Sequence, residues 1–204
     1  MVMVALHTDV PNLDTIKTEL VRYHDSGAYD KQIAQVDIQA EKYLQQRINQ
    51  NKHLAQPKKL AVVFDIDETA LSNYSDLVKR DFSRHGAYND LLLAHDPVIQ
   101  STYELYQLAE KNHVAVFFIT GRPESLRSAT VKNLDTAGYT ADDGLYMTNN
   151  YINNSIIPFK SEQRKLIASK GYDIVLSVGD QESDLKGGFA DKGFKLPNPY
   201  YYLA

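Results

Sequence analysis

The chain has 204 residues and a formal net charge of −4, and 43% of its residues are hydrophobic and 24% are charged. This length and composition are typical of one ordinary globular domain, and the acidic balance argues against a general binder of nucleic acid or membrane surfaces, which carries a basic excess. The chain contains no cysteine, so a disulfide framework is excluded and the redox compartment stays open.

The first predicted elements are two amphipathic helices. Apolar residues recur at spacings of three and four over 12–24 and again over 28–49, which predicts helices that pack one face on a larger body. A polar connector that contains Pro57 follows. Residues 12–50 are therefore predicted to form a helical extension in front of the main domain.

From residue 60 onward, short apolar runs alternate with helical patterns. The predicted strands cover 60–64, 114–119 and 174–178, with weaker signals at 145–147 and 194–196. The predicted helices between them cover 98–111, 123–137 and 161–170. Strands that alternate with helices imply right-handed crossovers, and so the sequence predicts an α/β, Rossmann-like fold with a parallel sheet and helices on both faces.

In such folds the ligand binds beyond the carboxyl ends of the strands. The polar residues placed at that edge are Asp65 and Asp67, Thr120 and Gly121, Asp180 and Asp184, and Lys160 at the start of a helix. Gathered carboxylates repel one another unless a hard cation is present, and a few carboxylates completed by waters and phosphate oxygens suit Mg²⁺. We therefore expect a magnesium site at this edge.

Asp65 and Asp67 are the strongest indication of chemistry. Two acids that end an apolar strand carry a desolvation cost without any local structural use. If the extended backbone continues, both side chains point the same way, so that one carboxylate can attack phosphorus while the other transfers a proton.

The other residues at this edge are suited to holding a phosphate. Thr120 offers a hydroxyl donor, Gly121 permits close backbone approach and Lys160 supplies a positive charge. Pro123 is predicted to open a helix whose N-terminus favours an anion. Each of these residues alone is more often structural, and their combination indicates phosphoryl transfer.

These stretches resemble the four ordered motifs of the haloacid dehalogenase (HAD) phosphatases. The motifs are 65–69, 119–122, Lys160 and 179–184. More narrowly, the chain is similar to the acid phosphatases of subfamily IIIB, a branch that includes bacterial acid phosphatases and plant vegetative storage proteins and is close to the class C nucleotidases. The stretches that carry this narrower resemblance are 64–73, 159–161 with Arg164, 178–185 and 195–199.

The resemblance implies an acid phosphatase that works through an aspartyl phosphate. Asp65 would be the nucleophile, and Asp67 would first protonate the leaving alcohol and then activate the hydrolytic water. Thr120 and Lys160 would hold phosphoryl oxygens, with Gly121 beside them. The resemblance also implies an acid pH optimum.

The metal that the resemblance implies is Mg²⁺. It would be held by the carboxylate of Asp65, the backbone carbonyl of Asp67 and the carboxylate of Asp180. Asp184 would support the site by orienting Lys160 or a metal-bound water.

A small cap is expected over the site, between residues 72 and 97, where HAD enzymes place one. Its short, mostly polar sequence favours an open site for small phosphomonoesters, nucleoside monophosphates among them. We expect one of its aromatic residues, Tyr74, Phe82 or Tyr88, to contact the leaving group. The tyrosines at 200–202 are predicted to pack the chain end onto the fold.

Two other interpretations stay open. A receiver domain also surrounds a phosphorylated aspartate with acids, a threonine, a lysine and Mg²⁺, but it lacks a second acid in the position of Asp67. A non-catalytic storage or interaction protein of the same fold would bind ligands without turnover, and the presence of Asp65 disfavours it. The apolar runs are far shorter than the roughly 18 residues of a membrane span. The resemblance implies a periplasmic or secreted protein whose signal has been removed, although a cytoplasmic location stays open. The sequence does not indicate the oligomeric state.

Overall fold

The computed structural model describes residues 10–140, 143–149 and 155–203. Its strands are β1 Lys59–Phe64, β2 Ala115–Pro123, β3 Leu145–Thr148, β4 Tyr172–Gly179 and β5 Lys192–Lys195. Its helices are α1 Leu13–Asp25, α2 Ala28–Lys52, α3 Tyr74–Lys79, α4 Ala87–Leu93, α5 Gln100–Lys111, α6 Arg127–Thr136 and α7 Ile157–Ser169. The strands form one parallel sheet in the order β3-β2-β1-β4-β5. The predicted α/β fold with a parallel sheet is confirmed.

The sheet carries an apolar core on each face, because side chains alternate along a strand. From β1, Val62 and Phe64 point to the larger core, which also receives buried side chains of α2 and α5. Ala61 and Val63 point to the smaller core, where Ile167 of α7 packs. Burial on both faces explains why β1 appears in the sequence as a continuous apolar run.

The two leading helices pack on the larger core rather than extending away from it. Helix α2 buries the apolar residues Ile33, Ala40, Leu44 and Ile48 at helical spacing and contacts α5 and β4. Within the part of the chain that the structure describes, no helix is both long enough and apolar enough to cross a bilayer.

The predicted cap segment, 72–97, contains the short helices α3 and α4. Its two ends meet at the base: the N–H of Ser72 donates to the carbonyl of Pro97 at 2.9 Å, and Leu71 pairs with Val98. The chain therefore leaves the domain body and returns to it at one place, as an insertion does. This arrangement supports our proposal that the segment is a small cap.

The prediction that Pro123 opens a helix is wrong. Pro123 has extended dihedral angles, φ −73° and ψ 153°, and pairs with Thr148 as the last residue of β2. A single 3₁₀ turn follows, and α6 begins only at Arg127. The restricted φ of proline suits an extended strand end as well as a first helical turn, and here the pairing with β3 decides between them.

Candidate active site

The three strands at the centre of the sheet bring the predicted site together. Phe64, the last residue of β1, is aligned with Phe118 on one side and Val178 on the other. The next residue, Asp65, continues this pairing, because its N–H donates to the carbonyl of Val178 at 3.0 Å. The residues that follow β1 and β4 and those that end β2 therefore share one edge.

Lys160 lies between two buried aspartates at this edge. Its Nζ donates to Oδ1 of Asp65 at 2.6 Å and to Oδ1 of Asp184, and all three side chains are almost fully buried. Burial lowers the pKa of Lys160, but the charges of Asp184 and Asp65 raise it by more. The ammonium group is therefore kept charged beside the predicted nucleophile.

Burial dominates the electrostatics of Asp65. Burial raises the pKa of its carboxyl well above the ordinary range; the charge of Lys160 opposes this rise, and the neighbouring carboxylates add to it. The site therefore holds more negative charge than its lysine neutralises, and a cation would relieve the excess.

Asp184 is committed to structure with both of its oxygens. Oδ1 accepts from Lys160, and Oδ2 accepts the N–H of Gln181 at 2.8 Å. The carboxylate also fills the space where residue 179 would carry a Cβ, which explains the glycine at that position. Asp184 thus orients Lys160 in this structure.

Asp180 follows β4 and is 1% exposed. Its Oδ2 accepts from the side-chain amides of Gln181 at 2.5 Å and Asn198 at 2.6 Å, and its Oδ1 has a long contact with the hydroxyl of Thr69 at 3.5 Å. Burial, with the charge of Asp184 second, raises its pKa to about 6.

The donor set fits a hard divalent cation. Asp65, Asp180 and Asp184 each present a carboxylate oxygen within 4.8 Å of the others. Because Asp184 is engaged by Lys160 and a backbone N–H, Asp65 and Asp180 are the acids with oxygens left for a metal. Oxygen donors of this kind are those that Mg²⁺ prefers.

Asp67 is held by Arg122 of the second motif. Nη2 and Nε of Arg122 donate to Oδ1 of Asp67 at 2.7 and 3.1 Å, and Nε also lies 3.2 Å from Oδ2. Nη2 further donates to Asp96 at 3.2 Å. The planar guanidinium fixes the orientation of the Asp67 carboxylate, and Asp96 holds the guanidinium in turn.

Thr120 and Gly121 lie in β2, next to this pair. Thr120 is fully buried, and its Oγ1 accepts the N–H of Arg122 at 3.1 Å. A Cβ at Gly121 would lie 2.8 Å from Cδ1 of Ile156. Close packing against Ile156 is therefore sufficient reason for this glycine, in addition to the predicted approach of a phosphate.

A cavity of about 660 Å³ opens over these residues. The predicted site residues in its wall are Asp65, Asp67, Gly121, Lys160 and Asp180. The predicted cap supplies Arg80, Arg84, Tyr88 and Leu91, and the chain beyond β5 supplies Tyr201 and Tyr202.

Of the three cap aromatics singled out in the sequence, Tyr88 lines the cavity. Tyr74 instead stacks on His24 of α1, and Phe82 packs on the ring of Tyr200. Tyr74 and Phe82 thus anchor the predicted cap to the domain body, and Tyr88 is the one of the three at the cavity wall.

Four residues of the site received no role from the sequence: Arg122, Asp96, Gln181 and Asn198. Arg122, Gln181 and Asn198 stand inside motifs, so their positions could have suggested a role. Asp96 lies in a loop without periodicity, and the structure places it at the site through its contact with Arg122 and its position in the cavity wall.

Known proteins are similar to this chain in sequence or in fold. "Acid phosphatase 1" of Solanum lycopersicum is 37% identical over 154 residues, which cover 69% of this chain and 58% of that protein. "Vegetative storage protein 1" of Arabidopsis thaliana is 32% identical over 147 residues, which cover 69% of this chain and 54% of that protein. The chain thus spans a little more than half the length of these plant relatives.

Among solved structures, the class C acid phosphatase from Bacillus anthracis superposes with a TM-score of 0.70 at 22% identity, over 93% of this chain and 86% of that one. At that identity the likeness concerns the fold. The sequence profile of HAD superfamily subfamily IIIB (acid phosphatase) matches residues 3–204. Together with the identity to the tomato enzyme, this match shows that the chain belongs to subfamily IIIB of the HAD superfamily, the acid phosphatases.

Proposed function

We propose that the protein is a Mg²⁺-dependent phosphomonoester hydrolase that forms an aspartyl phosphate on Asp65. The observation that carries this proposal is the convergence of Asp65, Lys160 and Asp180, from distant parts of the chain, at the floor of one cavity. Family membership supports the same reaction class.

In the first step, an oxygen of Asp65 attacks phosphorus and the bond from phosphorus to the ester oxygen breaks. The leaving alcohol takes its proton from Asp67, which Arg122 holds at the cavity wall. The step requires Asp67 to carry a proton when the substrate binds. This requirement agrees with activity in acid.

In the second step, a water attacks the phosphorus of the aspartyl phosphate. Asp67, now without its proton, accepts one from that water, and inorganic phosphate leaves as the Asp65 carboxylate is restored. The ammonium of Lys160 and the hydroxyl of Thr120 would stabilise the phosphoryl oxygens in both steps. Since Asp184 holds Lys160 in place, the ammonium group does not have to move during the reaction.

The carboxylates of Asp65 and Asp180 and the backbone carbonyl of Asp67 would hold the magnesium ion. When bound, Mg²⁺ supplies charge neutralisation at the nucleophile and polarises the phosphoryl group.

The cavity supports small phosphomonoesters as the substrate class. Its volume of about 660 Å³ lies in the range of sites for ligands of drug size. Tyr88 and Leu91 offer apolar contacts, and Arg84 adds a positive charge at the wall. Nucleoside monophosphates combine a flat aromatic base with a phosphate, so we include them in the proposed class.

A second candidate function is storage without turnover. The likeness to a vegetative storage protein favours it, and the intact Asp65 and Asp67 argue against it. A receiver-like phosphoacceptor is less favoured still, because a receiver lacks a second acid in the position of Asp67.

The test is hydrolysis of an aryl phosphate, with Asp65→Asn as the variant. We expect multiple turnover by the native protein with Mg²⁺, suppression by EDTA, and a loss of at least 1000-fold in Asp65→Asn, because an amide cannot serve as the nucleophile. Asp135→Asn, an exposed change on α6, is the matched control and should retain full activity. Turnover that survives both EDTA and Asp65→Asn would refute the mechanism, and a single turnover would favour the receiver interpretation.

A further inference from the structure

Segment 198–203 closes over the side of the site that holds Asp180. Tyr201, Tyr202 and Leu203 line the cavity. Asn198 reaches inward, and its Nδ2 donates to Oδ2 of Asp180 at 2.6 Å. A segment whose tyrosines the sequence predicted to pack the chain end thus also contacts a carboxylate of the proposed metal site.

The two oxygens of Asp180 have different surroundings. Oδ2 accepts two amide N–H groups, from Asn198 and from Gln181. Oδ1 has only the 3.5 Å contact with Thr69 among the described residues. Two short hydrogen bonds to one oxygen fix the rotation of the carboxylate and leave the other oxygen free to bind a cation.

Asn198 is itself held by the segment that it begins. Its Oδ1 accepts the N–H groups of Tyr200 at 2.8 Å and Tyr201 at 3.3 Å. Tyr200 is buried and packs its ring against Tyr29 and Phe82. The side chain that donates to Asp180 is therefore anchored to the core.

Gln181 ties the same segment to the site a second time. Its Oε1 accepts the N–H of Leu203 at 3.0 Å while its Nε2 donates to Asp180, and its backbone N–H donates to Asp184. The orientations of both acids are thus coupled to the path of segment 198–203.

We propose that Asn198 is a positioning residue of the metal site, which orients Asp180 so that its Oδ1 faces the cation. This inference rests on the proposed function only in assuming that the cation binds Asp65 and Asp180. Partners that hydrogen-bond to a metal ligand set its direction, and their loss weakens metal affinity by about 10–100-fold.

The experiment measures the dissociation constant of Mg²⁺ alone by isothermal titration calorimetry on the full chain. We expect Asn198→Ala to weaken Mg²⁺ binding at least tenfold. Asn49→Ala, a change at an exposed position of α2, is the matched control and should bind Mg²⁺ like the native protein. Melting temperatures measured in EDTA report whether each variant is folded.

Asn198→Ser keeps the proposal testable if the alanine variant does not fold. A serine oxygen can still accept the N–H of Tyr200 but is too short to reach Asp180, so it preserves the turn and removes the contact. We expect the same weakening of Mg²⁺ affinity in this variant, and we expect hydrolysis to recover toward the native rate when Mg²⁺ is raised to saturation.

Native Mg²⁺ affinity in a folded Asn198→Ala or Asn198→Ser would overturn the inference. This result leaves the proposed function standing if the protein hydrolyses phosphomonoesters. Conversely, a native protein that binds Mg²⁺ but shows no turnover refutes the proposed function, while weakened binding in the two variants still supports the role of Asn198.

Discussion

Replacing Asp37 by asparagine should stabilise the protein at neutral pH and have little effect in acid. Asp37 lies on α2, is 1% exposed and faces α5, where the hydroxyls of Ser101 and Thr102 donate to its Oδ2 at 2.6 and 3.1 Å. Its Oδ1 is buried without a hydrogen-bond partner among the described residues. Burial is the main reason that its pKa rises to about 6 from an ordinary value of 3.8, since the two hydroxyls oppose the rise.

The sign and size of the effect follow from these values. A carboxyl whose pKa is higher in the folded than in the unfolded protein favours folding while it is protonated, and this contribution is lost as the pH rises through about 4 to 6. A shift of roughly two units corresponds to about 3 kcal/mol. Asp37→Asn keeps the shape and an acceptor for the hydroxyls but carries no charge.

The assay is urea unfolding of the native protein and of Asp37→Asn at pH 4 and pH 7.5. We expect the two to have similar free energies of unfolding at pH 4, and the variant to be more stable by up to about 3 kcal/mol at pH 7.5. For a chain of this size, that gain corresponds to a rise in melting temperature of roughly 6–12 °C. The exposed change Asp135→Asn is the control. A difference in stability that is equal at the two pH values, or a less stable variant at pH 7.5, would refute the reasoning.

Two further predictions concern the site and its cap. Lys160→Met should lower the free energy of unfolding in EDTA by about 3–5 kcal/mol, because it leaves buried carboxylates without their cation. Mg²⁺ should then raise the melting temperature of this variant more than that of the native protein. Equal melting temperatures of the two proteins in EDTA would contradict this prediction. Tyr88→Ala should raise KM for aryl and nucleoside phosphates several-fold with little loss of stability. Phe82→Ala should instead lower the free energy of unfolding by about 2 kcal/mol and leave KM unchanged. An unchanged KM in Tyr88→Ala would show that Tyr88 does not contact the substrate.

The parts of the site that sequence could predict are those that local pattern determines. An apolar run such as 60–64 is readable because both faces of β1 are buried, and the acids that follow it are placed by the strand itself. Lys160 could be assigned to the same edge because its helix precedes β4. In each case a single element fixes the position of the functional residue.

The remainder depends on contacts between elements that no local pattern encodes. Asp96 meets Arg122 only because the predicted cap segment returns to the domain at that point, and Asn198 meets Asp180 only because segment 198–203 comes back to the end of β4. The error at Pro123 has the same origin. The local preference of proline allows a helix start, and pairing with a neighbouring strand overrides it.

The central strand β1, which ends just before Asp65, and the helix that carries Lys160 are far apart in the chain, and this separation has a consequence for how the protein is made. Lys160 follows Asp65 by 95 residues, and translation at about 5–20 residues per second therefore separates the two by roughly 5–20 s. During that interval the nascent chain carries Asp65, the proposed nucleophile, without its ammonium partner or the acids after β4. On the proposed mechanism, a chain that has not yet folded beyond β4 lacks the charges that surround Asp65 and therefore cannot hydrolyse a phosphate ester.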